Sequence, residues 1–190
     1  MTAALNDPHP PAGGWTTDDL DAMPDDGHRR ELLDGALIMP PSTTAAHQTI
    51  AMRLGVALEE DCPDEYDVTQ GVEVRFSQRR SFIPDVLVTT AAAAARRTAR
   101  YEPHEVVLAV EIVSGTSQSM DRILKPALYA KAGIPYYWRI ETDGGLVVHT
   151  NRLDPVEEVY VETGRWTKFV DTGEPWPVNL PISRLTPRHL

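Results

Sequence analysis

The sequence predicts an α/β fold, with a mixed, twisted β-sheet flanked by helices on at least one side. The segment VVLAVEIVSG, residues 106–115, is apolar on both faces, which is typical of a central strand covered by helices. Turn signals at Asp34-Gly35 and at Asp143-Gly144-Gly145 indicate β-hairpins. Segments with helical spacing of apolar residues lie between these strands, so both kinds of element contribute to the fold.

Each element follows from local sequence features taken in chain order. The first half predicts a capped short helix (15–24), the Asp34-Gly35 hairpin (31–39), an amphipathic helix (42–61), a half-exposed strand (67–76) and a buried strand (81–90). The second half predicts a weakly helical connection (91–100), the central strand, a polar loop (114–119), a helix (120–132) that ends at Gly133, and strands (135–141, 145–151, 156–162, 166–170). Residues 174–185 contain too many prolines for a helix or a central strand, so an extended strap over an apolar groove is expected.

Length and composition indicate one intracellular domain. With 190 residues, the chain suits a single domain over residues 15–190, preceded by a disordered leader over residues 1–14. Cys62 is the only cysteine, which excludes an intramolecular disulfide and favours a reducing cytoplasm. The sequence contains no apolar run long enough for a membrane span and no signal-peptide pattern, so we expect a cytoplasmic protein without a membrane partner.

The charge of the chain argues against a general electrostatic hold on nucleic acid. The formal net charge is −10, whereas nucleic-acid-binding surfaces are usually basic. A phosphate-bearing substrate would therefore be bound by local groups, such as Arg79 and Arg80 or the cluster of Arg96, Arg97 and Arg100. Clusters of this kind are more often solvated loop residues than binding sites.

Two acidic residues stand within apolar strands. Glu111 lies in the central strand, and Asp85 lies in the preceding buried strand between Ile83 and Leu87. Removal of an unpaired carboxylate from water costs several kcal/mol, so each acid must be paired, protonated or bound to a metal. The connection between the two acids is long enough to return the chain and to set the strands side by side, about 4.8 Å apart. Two such carboxylates could share a Mg²⁺ or Mn²⁺ ion, since both ions prefer oxygen ligands.

Lys125 is the third candidate, on the helix that follows the Glu111 strand. An ammonium group near two metal-bound carboxylates could orient a water molecule or stabilise charge on a phosphate. Asp121, one turn earlier, could instead hold Lys125 in a surface ion pair. The simplest alternative for the two buried acids is pairing with core arginines, for which Arg75 and Arg122 are the nearest candidates in sequence.

Five segments together resemble the Uma-type restriction endonuclease family of the PD-(D/E)XK nuclease superfamily. They are GHRRELLDGAL, AHQTIAMRL, FIPDVLV, VVLAVEIVS and DRILKPALYAKAGIPYYWRIE. The resemblance implies a restriction-endonuclease-like core with Asp85 and Glu111 as metal-binding acids. The usual lysine position of the superfamily is Val113 here, and Lys125 matches the place that the Uma-type branch uses instead. Pro126 directly follows Lys125, so the helix either begins late or is kinked there.

The resulting hypothesis is a Mg²⁺-dependent (or Mn²⁺-dependent) nuclease that hydrolyses DNA. The proposed metal ligands are Asp85, Glu111 and the Ile112 carbonyl, and Lys125 is the proposed catalytic lysine. The resemblance adds Glu31 and His47 as catalytic-site residues. Arg79, Arg80 and Arg122 are candidate substrate contacts. The aromatic residues of PYYWRIE and the proline-rich tail suggest a homodimer. The alternative is a catalytically silent module that keeps the fold and binds DNA or a protein partner.

Overall fold

A computed structural model describes residues 10–113 and 118–188 of the protein. Most of the predicted leader and residues 114–117 of the predicted polar loop lie outside the described residues. The helices are α1 (Thr17–Ala22), α2 (Ala45–Glu59), α3 (Ala91–Ala94), α4 (Lys125–Lys131) and α5 (Ile182–Leu185). The strands are β1 (Glu31–Leu33), β2 (Ala36–Ile38), β3 (Tyr66–Thr69), β4 (Glu73–Ser77), β5 (Arg80–Phe82), β6 (Val86–Thr90), β7 (Arg100–Tyr101), β8 (Val106–Ile112), β9 (Tyr136–Glu141), β10 (Val147–Asp154), β11 (Val159–Trp166), β12 (Phe169–Thr172) and β13 (Val178–Pro181).

The strands form two main sheets and one short hairpin sheet in the described part of the chain. The first sheet has the order β2-β1-β5-β4-β7, and the second has the order β11-β10-β9-β8-β6-β3. β8 pairs with β9 in parallel and with β6 antiparallel, so the second sheet is mixed. The predicted mixed α/β class is confirmed, but its strands divide between two sheets and do not form one.

Two predicted strands each break into a pair of strands that belong to different sheets. The segment 67–76 divides at Gly71, whose φ of +64° is open to glycine but costly for other residues. The segment 81–90 divides at Pro84, which has no N–H to donate to a strand ladder. At Gly71 the chain leaves the second sheet for the first, and just past Pro84 it returns. Asp85 therefore stands at a crossing between the two sheets.

The central strand β8 is buried on both faces, as its sequence predicts. Leu108, Val110 and Ile112 pack in one apolar cluster with α2, α5 and the β12-β13 pair. Ala109 packs on the opposite face, in a second cluster that also contains residues of the first sheet and of α4. Strict alternation along the strand predicts that Val106 shares the face of Leu108. This prediction is wrong, because the β6-β8 register shifts there and places Val106 in the second cluster.

The local predictions for the N-terminal elements are confirmed by cap and turn geometry. Thr16 and Asp19 form a reciprocal capping box at α1. Asp34 and Gly35 both have positive φ, 52° and 87°, as a two-residue hairpin turn requires. Thr44 caps α2 by accepting a hydrogen bond from the backbone N–H of His47.

The predicted helix over residues 120–132 contains two kinds of helical turn. Residues 120–124 form a π-helical turn, in which the Lys125 N–H donates to the Met120 carbonyl, and α4 follows. Pro126 has no N–H, so the α-helical bonding pattern cannot run unchanged through this position. The π-helical turn accommodates the change in hydrogen bonding before Pro126. Lys125 is then buried at the first turn of α4.

The C-terminal segment differs from the predicted strap. β13 pairs with β12, and α5 follows directly, although the prolines led us to exclude a helix here. Pro181 is the N-cap residue of α5, so it precedes the helix and does not interrupt it. Trp176 and Leu185 lie in the same apolar cluster as α2, so this segment completes the core.

The aromatic residues that suggested a dimer are core residues. Tyr137 and Trp138 are each 1% exposed, and Trp176 of the tail is also buried. These three residues therefore cover the protein's own core. Among the described residues, no helix has the length and apolar character needed to cross a bilayer.

A pH-dependent ion-pair cluster holds α1 against the first sheet. The Asp21 carboxylate contacts Arg75 at 2.5 and 3.1 Å and Arg100 at 2.5 Å, and these arginines, chiefly through the Arg75 hydrogen bond, lower the pKa of Asp21 to about 2. Because the pKa in the folded state is the lower one, the stabilisation is present above about pH 4 and is lost as the pH falls toward 2. We expect Asp21→Asn to lower the free energy of unfolding by about 0.5–1 kcal/mol at neutral pH, since the pair is partly exposed.

Urea unfolding at several pH values measures this effect. The difference between wild type and Asp21→Asn should vanish near pH 2. Asp64→Asn, an exposed acid for which no ion pair occurs within the described ranges, should change the free energy of unfolding by less than about 0.5 kcal/mol. An Asp21→Asn deficit that stays constant with pH would contradict the ion-pair explanation.

Candidate functional site

One pocket contains the buried charged residues that the sequence identified. It lies between the β1-β2 hairpin, the first turn of α2, the start of β6, the end of β8 and the helical segment around Lys125, and its volume is about 170 Å³. The predicted residues that line it are Glu31, His47, Asp85, Glu111, Ile112 and Lys125. Ile38, Met39, Pro40, Pro41 and Met120 form an apolar part of its wall. A water molecule needs about 10–15 Å³ by this measure, so the pocket can hold several waters or a hydrated ion.

Asp85 is fixed by contacts from three directions. Its backbone N–H donates to the Val110 carbonyl, which ties it to β8, and its Oδ2 accepts a 2.9 Å hydrogen bond from the Ile112 N–H. His47 Nε2 lies 3.2 Å from Oδ2, and Arg29 Nη1 lies 3.4 Å from Oδ1. Burial would raise the pKa of Asp85, but these hydrogen bonds and the neighbouring positive charge lower it below its usual value. Asp85 is therefore held as a carboxylate.

Glu111 lies deeper than Asp85 and is only 2% exposed. The Tyr129 hydroxyl donates a 2.6 Å hydrogen bond to its Oε1, and Lys125 Nζ lies 3.1 Å from Oε1 and 3.2 Å from Oε2. Complete burial raises the pKa of Glu111 well above its usual value; Lys125 opposes this effect, while the neighbouring carboxylates add to it. The surroundings of Glu111 thus contain more negative than positive charge.

Lys125 is the positive centre of this group. Its Nζ lies 3.1 Å from Glu111, 3.3 Å from Glu31 and 3.7 Å from Asp121, and all four side chains are buried. Burial alone would lower the pKa of Lys125, but the surrounding carboxylates raise it above its usual value. The predicted ion pair with Asp121 exists, although it lies inside the protein and not at the surface.

Glu31 connects the lysine to the crossing between the sheets. Its Oε1 accepts a 2.9 Å hydrogen bond from the Ile83 N–H and lies 3.3 Å from Lys125 Nζ. Ile83 is two residues before Asp85, so one carboxylate fixes both the crossing segment and the ammonium group. This contact joins β1, the crossing and α4.

His47 occupies the first turn of α2. Thr44 fixes its backbone, and the nearly buried ring reaches Asp85 through Nε2. Nδ1 is buried and has no hydrogen-bond partner in the part of the chain that the structure describes. Thr43 lines the pocket beside this ring.

The donor atoms of the pocket suit a hard divalent cation. Asp85, Glu111 and the Ile112 carbonyl are oxygen donors, and Mg²⁺ is typically held by one or two carboxylates together with waters and substrate phosphates. Over residues 10–113 and 118–188, no three His, Cys, Asp or Glu side chains converge as a ready-made metal cage. The oxygen donors would fit an ion that keeps part of its water shell, as Mg²⁺ commonly does.

The remaining arginines named from the sequence lie outside this pocket. Arg79 and Arg80, at the β4-β5 turn, bond to the Asp34 carbonyl and the Asp34 carboxylate. Arg122 forms a two-bond pair with Glu141, at 2.9 and 2.6 Å. Arg75 pairs with acids near α1. Arg75 and Arg122 therefore pair with other acids, whereas Asp85 pairs with Arg29 and Glu111 with Lys125.

Sequence reasoning missed Arg29 and Tyr129. Arg29 donates to the Ile83 carbonyl and approaches Asp85, and Tyr129 bonds to Glu111. The distance in sequence from a candidate site residue could have identified both residues. Arg29 lies two residues before Glu31 in an extended segment, and Tyr129 follows Lys125 by one helical turn.

The mixed sheets flanked by helices define a protein with a restriction-endonuclease-like fold. Residues 17–176 match the model of the Uma2 family, described as "Putative restriction endonuclease", and the chain belongs to that family. A solved structure described as "a putative nuclease belonging to DUF820", from Anabaena variabilis, is similar with a TM-score of 0.70 and 18% sequence identity. That similarity covers 90% of this chain and 96% of the other and establishes the fold. Comparison with curated proteins gives no match.

We expect Lys125→Met to destabilise the protein strongly. The substitution leaves three buried carboxylates without their cation, and loss of one partner from a buried pair costs about 3–5 kcal/mol. Lys131→Met, at an exposed position of the same helix, should change the free energy of unfolding by less than about 0.5 kcal/mol. Chemical denaturation measures both variants. Equal stability of the two variants would show that Lys125 does not hold the acids together.

Proposed function

We propose that this protein is a Mg²⁺-dependent or Mn²⁺-dependent nuclease that hydrolyses phosphodiester bonds in DNA. The main supporting observation is that Asp85, Glu111 and Lys125 line one pocket in a chain of a restriction endonuclease family. Carboxylates that can hold a divalent cation, together with an ammonium group, are the parts needed to stabilise charge on a phosphate.

The charge balance of the pocket supports binding of a cation. One ammonium group faces three carboxylates, and Asp85 stands beside them with its own contacts to Arg29 and His47. Uncompensated buried negative charge is costly unless it is protonated or neutralised. A divalent cation at Asp85 and Glu111 would neutralise this excess.

The proposed metal ligands are Asp85, Glu111 and the Ile112 carbonyl. When bound there, Mg²⁺ or Mn²⁺ would lower the pKa of a coordinated water and polarise the phosphate. The chain's own contribution is to fix the ligands, since the Ile112 N–H and His47 orient Asp85 and the Tyr129 hydroxyl orients Glu111. His47 is accordingly assigned a positioning role.

Lys125 offsets negative charge in this proposal. An ammonium group held by three carboxylates keeps its proton, so it is suited to stabilise charge on a phosphate and unsuited to accept a proton from water. Glu31 positions Lys125 through its contact with Nζ. Arg29, which is partly exposed at the pocket, can contact the phosphate being cleaved.

A chain of net charge −10 does not attract DNA as a whole. Contacts with the rest of a DNA strand must therefore come from individual basic side chains. Arg79, Arg80 and Arg122 are proposed as contacts for more distant phosphates, because none of them lines the pocket. A cytoplasmic location and a homodimeric state also belong to this proposal.

A catalytically silent module is the second candidate. The observation that favours it is that both acids already have protein partners. Asp85 contacts His47 and Arg29, whereas Glu111 contacts Lys125 and Tyr129. A silent module would bind DNA or a partner without cleaving DNA. Its pocket would then serve stability alone.

We expect DNA cleavage in Mg²⁺ or Mn²⁺ that is lost in Glu111→Gln and in Asp85→Asn. Each substitution removes one anionic ligand, so activity should fall at least about 100-fold, as for the loss of a group that stabilises the transition state. Fluorescently labelled single-stranded and double-stranded DNA, with chelator as the blank, provides the assay.

Glu105→Gln is the matched control. Glu105 is also a buried acid, but it pairs with Arg96 and is not among the residues that line the pocket. Its loss should leave cleavage unchanged. Wild-type protein without cleavage in either metal would favour the silent module, and cleavage retained by Glu111→Gln would reject the proposed site.

A further inference from the structure

Edge strand β11 is unusually exposed and apolar for the border of a sheet. It pairs with β10 on one side and ends the second sheet on the other. Eight large apolar side chains are exposed in the described chain, and four of them lie within residues 156–169: Val156, Val159, Val161 and Phe169. An exposed edge with apolar side chains is a template for pairing with another strand.

The charges along this segment are separated by sign. Glu157 and Glu158 lie just before β11 and Glu162 lies near its middle, whereas Arg165 lies near its end and Lys168 just after it. All five side chains are exposed. Glu162 pairs with His149, and no ion pair engages the other four within the described residues. Edge strands usually carry charges that prevent pairing with other strands. Charges of opposite sign at the two ends of a segment instead favour antiparallel over parallel pairing with a second copy.

We propose that β11 pairs antiparallel with β11 of a second copy of this chain, and that the second sheet continues across a two-fold axis. In this arrangement Glu157 and Glu158, just before β11 of one copy, lie opposite Arg165 and Lys168 at the end of β11 of the other. A parallel pairing would set like charges opposite each other. A two-fold interface uses the same surface on both subunits. A segment with opposite charges at its two ends therefore places opposite charges in contact at both ends of the interface.

The apolar residues fit the same arrangement. An antiparallel pair brings Val156 and Val159 of one copy toward Phe169 of the other, because these residues flank the two ends of the segment. The open backbone groups of β11 gain partners at the same time. This surface does not include the pocket residues, so the inference stands whether or not the protein cleaves DNA.

Sedimentation velocity of the full-length protein tests the inference. Wild type should sediment as a particle of twice the 21.1 kDa chain mass. A chain with reversed acids (Glu157→Lys, Glu158→Lys) and a chain with reversed bases (Arg165→Glu, Lys168→Glu) should each dissociate at least about tenfold more readily, since like charges then face each other. An equimolar mixture of these two chains should restore the dimer, because opposite charges meet again.

Val161→Lys and Val56→Lys form a matched pair of substitutions. The two valines are similarly exposed, at 53% and 57%, but Val56 lies on α2, in another element. Only Val161→Lys should weaken the dimer. A wild-type mass of 21.1 kDa at every concentration, a dimer unaffected by either charge-reversed chain, or larger species that grow with concentration would each overturn the proposal.

Discussion

The buried Lys125 ammonium group holds together segments that are distant in sequence. It contacts Glu31 of β1, Glu111 of β8 and Asp121 in the π-helical turn. Each carboxylate would be costly to bury alone, and so would the lysine. Their mutual contacts make the burial tolerable and fix the first sheet, the second sheet and the helix that packs between them. The position of α4, and through Tyr129 that of the second apolar cluster, depends on this group.

The same constraint explains why charge lies inside an otherwise apolar core. A core designed for stability alone would replace this cluster by packed apolar side chains, which is often neutral or stabilising. Here the acids line a pocket, and contacts with His47, Arg29 and the Ile112 N–H keep Asp85 ionised. Retained negative charge at a pocket is a common feature of sites that bind cations and perform catalysis.

The sequence predicted elements and candidate residues better than their long-range arrangement. Caps and turns are local, so α1, α2 and the Asp34-Gly35 hairpin follow from a few neighbouring residues. The division of strands between two sheets depends on Gly71 and Pro84 together with pairing partners that are far away in the chain. For the same reason the partners of Lys125 were only partly foreseen. It lies within ion-pair distance of Glu31 and Glu111, whereas Asp85 contacts His47 and Arg29.

The proposed chemistry depends on a divalent cation shared by Asp85 and Glu111. Anomalous diffraction from crystals equilibrated with Mn²⁺ tests this claim most directly, because it locates the ion without reference to activity. We expect one strong anomalous peak in contact with both carboxylates and the Ile112 carbonyl. A peak only at other carboxylates, or no peak in a pocket open to solvent, would contradict it.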